Sequence, residues 1–126
     1  MNTTHRWALA CLLPVSALAA TACTASSSGG DLTVAVSSTD DSCVVAQASA
    51  PAGNVVFSVT NDGSQETEFY VYEADGTTIV AEVENVGPGL TRDLVAQLEP
   101  GTYVTSCDPG MDGDDIRADF VATDAG

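Results

Sequence analysis

Carboxylates dominate the side chains of this sequence that could do chemistry. Eighteen Asp and Glu stand against three basic residues, all of them Arg, and a single His, His5. Glu82 and Glu84 lie two apart in a segment of alternating polarity, a spacing that on a strand puts both on one face. Joined by Glu68 from a neighbouring strand, they are hard oxygen donors that could gather around a cation. The same spacing also suits the solvated face of an edge strand. A second acidic stretch, Asp112-Gly113-Asp114-Asp115 with Asp108 nearby, offers the oxygen ligands of a calcium loop. It has no Glu at the closing position and reads better as a solvated acidic turn. Cys43 and Cys107 are the soft candidates: as thiolates they suit copper, as a disulfide they ligate nothing. Met111 could be a weak axial-type ligand, but without His partners that site is incomplete, and Met111 reads as a loop or core residue.

Several chemistries are excluded by what is missing. His5 falls in the N-terminal leader, so the remaining chain cannot form a Ser-His-Asp or Cys-His constellation, nor a His-based zinc or blue-copper site. The absence of Lys removes Schiff-base chemistry, and no Gly-rich phosphate cradle is present. Carboxylate pairs exist in number, but none is marked as a glycosidase pair. The expectation is a protein that is not an enzyme.

The leader has its own organisation. Residues 2–6 carry one positive charge and residues 7–22 are apolar, the layout of a secretory signal over residues 1–22. Small residues before Cys23, then a Ser/Gly tract, resemble a bacterial lipoprotein cleavage site, with Cys23 as the lipidated first residue of the mature chain. Ordinary cleavage after Ala19 or Ala22 is the alternative. Residues 23–30 read as a flexible linker that lets a domain over residues 31–123 stand off a membrane. Loss of the leader leaves Arg92 and Arg117 against eighteen acids, a charge of −16. Such a surface repels nucleic acid and anionic lipid and attracts cations; solubility in a salty medium is the plainer reading. In an oxidising envelope Cys43 and Cys107 form a disulfide by default, closing a long loop and stabilising the fold by roughly 3–4 kcal/mol.

The domain reads as strands and turns. Strands are expected over 32–36, 43–48, 55–60, 68–72, 77–84, 90–98, 102–107 and 116–122, separated by Pro51-Ala52-Gly53-Asn54, Asn61-Asp62-Gly63, Ala74-Asp75-Gly76, Pro88-Gly89 and Pro100-Gly101. No segment combines helical periodicity with caps. About eight short strands at this spacing predict an all-β sandwich. The aromatic residues of the domain fall at strand positions and read as core and rim.

Pro51-Ala52-Gly53-x-Val55-x-Phe57-x-Val59-x-Asn61 resembles the early hairpin of cupredoxin-like domains. Tyr103-Val104-Thr105-Ser106-Cys107, followed by Met111, sits where cupredoxins carry a metal-ligand loop. Glu82-x-Glu84-Asn85-Val86-x-Pro88-Gly89, with Glu68-Phe69 before it and Leu98-x-Pro100-Gly101-x-Tyr103 after it, resembles the cupredoxin-like domain of EfeO-type iron-uptake components. Those are envelope proteins that serve an iron permease. The resemblance implies a cupredoxin-like Greek-key β-sandwich and a site for iron or copper at Glu68, Glu82, Glu84 and Cys107, with Cys43 matching the family's early Cys. It also implies a membrane iron permease and a haem peroxidase as partners, and a place on the extracytoplasmic face of the cell envelope. Larger members continue into an imelysin-like helical domain with a His-x-x-Glu motif, which this sequence lacks; it reads as a stand-alone or shortened relative. The competing expectation is a non-metal structural or protein-interaction module of the envelope, in which the acids only solvate and Cys43–Cys107 only staples.

Overall fold

The computed structural model describes residues 32–126. The expected signal peptide, the linker and the lipidated Cys23 lie outside the described residues. The described residues form nine strands: β1 (Leu32–Ser38), β2 (Cys43–Val45), β3 (Ser49–Pro51), β4 (Gly53–Asn61), β5 (Thr67–Glu73), β6 (Ile79–Val86), β7 (Thr91–Leu98), β8 (Gly101–Cys107) and β9 (Ile116–Thr123). A 3-10 turn at Pro109–Met111 is the only helical element among the described residues. None of their helices is long and apolar enough to cross a membrane.

The strands form two sheets, of order β2-β1-β4-β7 and β3-β9-β8-β5-β6. Pairing is antiparallel except for β1 with β4 and β3 with β9. The sandwich follows from period-two burial. In β4, Val55, Phe57 and Val59 point inward while Val56, Ser58 and Thr60 point out. In β5, Thr67, Phe69 and Val71 are buried and Glu68, Tyr70 and Tyr72 half-buried. Phe57 packs between Phe69 and Phe120, with ring centroids 5.4 and 5.2 Å away. Each such fully buried side chain stabilises the fold by ~1.5–3 kcal/mol.

The all-β expectation holds, with one more strand than the eight expected. The segment expected to be one strand over 43–48 pairs with β1 only as far as Val45. The chain then crosses to the other sheet, where Ser49–Pro51 lies parallel to β9. Pro51 can sit there because β3 is an edge strand, where a missing N–H costs no ladder bond.

One buried amide fixes the end of the sandwich nearest the acidic residues. The Asn61 side chain donates to the carbonyls of Gln65 and Val86, both at 2.7 Å, and accepts from the Gly63 amide at 2.9 Å. Its backbone exchanges bonds with Leu90 and Gly89. The loop that launches β5 and the end of β6 are thereby tied to one point. Gly63 is required beside it: a Cβ there would lie 2.5 Å from Asp40 Oδ1 and 3.0 Å from the Asp40 amide nitrogen.

Candidate functional site

The outer face of the second sheet collects the acidic candidates. Glu68, Tyr70 and Tyr72 alternate along β5 on that face, since Phe69 and Val71 are in the core. Glu82 of β6 lies directly across from Tyr70, and the Tyr70 hydroxyl donates to Glu68 Oε2. Burial pushes the Tyr70 phenol well above its usual pKa, and the hydrogen bond to Glu68 and the charges of Glu68 and Glu82 add to the shift.

Glu84 arrives by a different route from simple alternation. Thr67 pairs with Val86 but Phe69 with Val83, so Glu84 and Asn85 together oppose Glu68. This is a β-bulge, with Asn85 in the left-handed region at φ 56°. Arg92 of β7 donates to the Glu84 carbonyl at 3.1 Å and braces the bulge. The structure thus places Glu68, Glu82 and Glu84 on adjoining positions of one face, Glu82 and Glu84 exposed and Glu68 half-buried. Among the described residues, however, no group of three or more His, Cys, Asp or Glu side chains is arranged to hold a metal ion as it stands.

Sequence reasoning put Asp108 in a separate acidic loop. The fold brings it beside Glu68: the Asp108 amide donates to the Glu68 carbonyl at 2.9 Å. Asp108 Oδ1 is buried and has no hydrogen-bond partner. Burial raises the Asp108 pKa, and the nearby charges of Glu68 and Asp115 raise it further. Asp115 behaves oppositely. Burial alone would raise it, but the Ser106 hydroxyl (2.8 Å) and Arg117 Nε (2.5 Å) both donate to Oδ2 and bring its pKa below the usual value. The signal for Asp108 was its position directly after Cys107, the residue paired with Phe69. One step further along, the register brings it to Glu68.

The structure resolves the choice between thiolate ligands and a disulfide. Cys43 and Cys107 are bonded, S–S 2.04 Å with Cα atoms 5.7 Å apart, linking β2 of one sheet to β8 of the other. Cys107, expected as a metal ligand, is fully buried, and a half-cystine carries no thiolate. In this form it leaves the ligand set, and Cys43 with it. Met111 is 45% exposed at the tip of the 3-10 turn with φ 53°, a loop residue and not a core one.

What remains is a donor set of carboxylates: Glu68, Asp108 and Glu82, with Glu84 and Asp115 alongside; the Tyr70 hydroxyl keeps its proton, in the hydrogen bond to Glu68. Neither imidazole nor thiolate is among them. Such a set fits a hard cation such as Fe(III) and not Cu(I) or a blue-copper centre. Asp108 Oδ1 is the one buried side-chain polar atom among the described residues without a hydrogen-bond partner.

A two-sheet sandwich with parallel β1–β4 and β3–β9 pairs is the architecture of a cupredoxin-like domain. The model of that family matches residues 11–122, and the chain belongs to the cupredoxin-like domain family. It is similar to the iron uptake system component EfeO of Yersinia pseudotuberculosis, 34% identical over 74 residues, 59% of this chain and 19% of that protein. The proteins of the same name from Escherichia coli K12 and Shigella flexneri are 31% identical over the same shares. The chain thus spans about a fifth of the length of these relatives.

Proposed function

We propose that this protein is an extracytoplasmic iron-binding component of an iron-uptake system, tethered to the cell envelope through Cys23. In this reading it captures iron and passes it to a membrane permease. Copper is the weaker cargo, because the disulfide withholds the soft ligands. The protein is not a catalyst: its residues concentrate and hold a cation. A charge of −16 raises the local cation concentration, and Glu68, Glu82 and Asp108 supply hard oxygens where the ion would rest. The carrying observation is the convergence of Glu68 with the unpartnered Asp108 oxygen on the face where the relatives' motif puts Glu82 and Glu84. Glu82 and Glu84 are exposed and make no side-chain hydrogen bond, so both are free to change rotamer toward an ion.

The test is iron affinity in two variants. Glu82→Gln with Glu84→Gln together, and separately Asp108→Asn, should each weaken Fe(III) binding at least about tenfold, the scale of losing one charged ligand. Unchanged affinity in either would sink the assignment. A second reading, an interaction module without metal, draws support from the lack of a preformed three-carboxylate group. It predicts that wild type and both variants retain no iron at all.

A further inference from the structure

The same outer face carries an aromatic feature that metal binding does not use. Tyr70 and Tyr72 stack along β5, with ring centroids 5.5 Å apart and planes 17° from parallel. The Arg117 guanidinium sits 4.9 Å from the Tyr72 ring centroid. It is held there by Asp115 and by the Gly76 carbonyl at 2.6 Å. The chain therefore already seats one arginine on this face by a ring and a carboxylate. Tyr70 offers a second ring beside it. Glu68 lies two residues back on the same strand and Glu82 directly across on β6, so in the absence of metal a ring and two carboxylates stand there with no basic side chain of the chain's own. Arg92, the other cation among the described residues, is turned to the Glu84 carbonyl.

We propose that the Tyr70 position is a docking point for an arginine of a basic segment in a partner protein. Charge complementarity selects that occupant: the domain has no further cation of its own to place there. The opposite sheet supplies the contrast. Its outer face presents Thr33, Ala35, Val56, Ser58 and Val95, with Asp93 as the acid among them. Geometry permits access as well, since β6 is an edge strand and Glu82 is exposed. Arginine fits better than lysine because its planar guanidinium can lie on the Tyr70 ring while its edge donates to Glu82.

The test is an NMR titration of the ¹⁵N-labelled protein, in EDTA, with the peptide acetyl-Gly-Ser-Arg-Gly-Arg-Ser-Gly-amide. Amide shifts should centre on Tyr70, Tyr72 and Glu82. Tyr70→Thr and Glu82→Gln should each weaken binding about two- to fivefold, the factor an exposed cation–π contact or ion pair supplies. Tyr70→Phe keeps the ring and should stay near wild type. Asp93→Asn makes the same charge change on the other sheet and should have no effect. If Asp93→Asn weakens binding as much as Glu82→Gln while Tyr70→Thr does nothing, the attraction is diffuse and the proposal falls. It falls equally if the shifts lie elsewhere. Because metal is chelated throughout, failure of the iron reading does not alter either outcome.

Discussion

Replacing Cys43 and Cys107 together by Ala should cost this domain much of its stability. The two residues are 64 apart in sequence. Cross-linking a loop of that length removes ~4 kcal/mol of conformational freedom from the unfolded chain on the chain-entropy account. Cys107 is fully buried between the sheets, so deleting its sulfur adds a cavity cost to the entropic one. Against a total of roughly 5–15 kcal/mol for an ordinary domain, that is a large share. Urea unfolding followed by far-UV circular dichroism reads it directly. With a slope of about 1–3 kcal/mol/M, the midpoint should fall by roughly 1.5 M or more. Reducing the wild-type protein should move its midpoint in the same direction. A midpoint that stays within about 0.3 M of wild type in the double variant would refute the reasoning. The bond would then be shown to constrain an unfolded state already as compact, or to link strands that pack equally well without it.

Two further perturbations bear on the frame around the site. Asn61→Ala leaves the Gln65 and Val86 carbonyls and the Gly63 amide without their buried partner. It should cost about 2–4 kcal/mol, read as a fall of 10 °C or more in the calorimetric midpoint on the order expected for a domain this size. Asp75 caps the β5–β6 turn by accepting from the Thr78 hydroxyl and the Thr78 and Thr77 amides. These bonds lower its pKa to about 2. A depressed carboxylate stabilises the fold above its unfolded pKa, and that contribution is lost as pH falls from 3.8 toward 2. Asp75→Ala should therefore lower the thermal midpoint at pH 7 and converge with wild type near pH 2. An equal deficit at both pH values would contradict the charge-based account.

Much of the fold is legible in residue order because its causes are local. Alternation in Val55-Val56-Phe57-Ser58-Val59 sets the inward face of β4, and Pro88-Gly89 and Pro100-Gly101 place two turns. The short β3 strand is hidden because Ser49-Ala50-Pro51 has neither alternation nor β-branched residues. It is a strand only because β9 lies beside it. The bulge at Glu84-Asn85 is hidden for a related reason: polarity alternation assumes an unbroken register, and Asn85 in a left-handed conformation breaks it. Motif reasoning found Glu68, Glu82 and Glu84 on a common face. It left Asp108 with the separate acidic stretch, because that loop folds back on Glu68 only through a backbone bond between residues 40 apart. Cys107 was legible both as a ligand and as half of a disulfide, and only the spatial approach of β2 to β8 decides between them.

The central claim is that hard oxygens on this face hold iron. Equilibrium dialysis of the purified protein against Fe(III)-citrate, with Cu(II) and Ca(II) in parallel, followed by elemental analysis, tests it most directly. The account predicts about one iron per chain retained through buffer exchange, with less copper and calcium, and loss of the iron in Asp108→Asn. Protein that comes through exchange with no iron, or an Asp108→Asn variant that keeps as much as wild type, would contradict it.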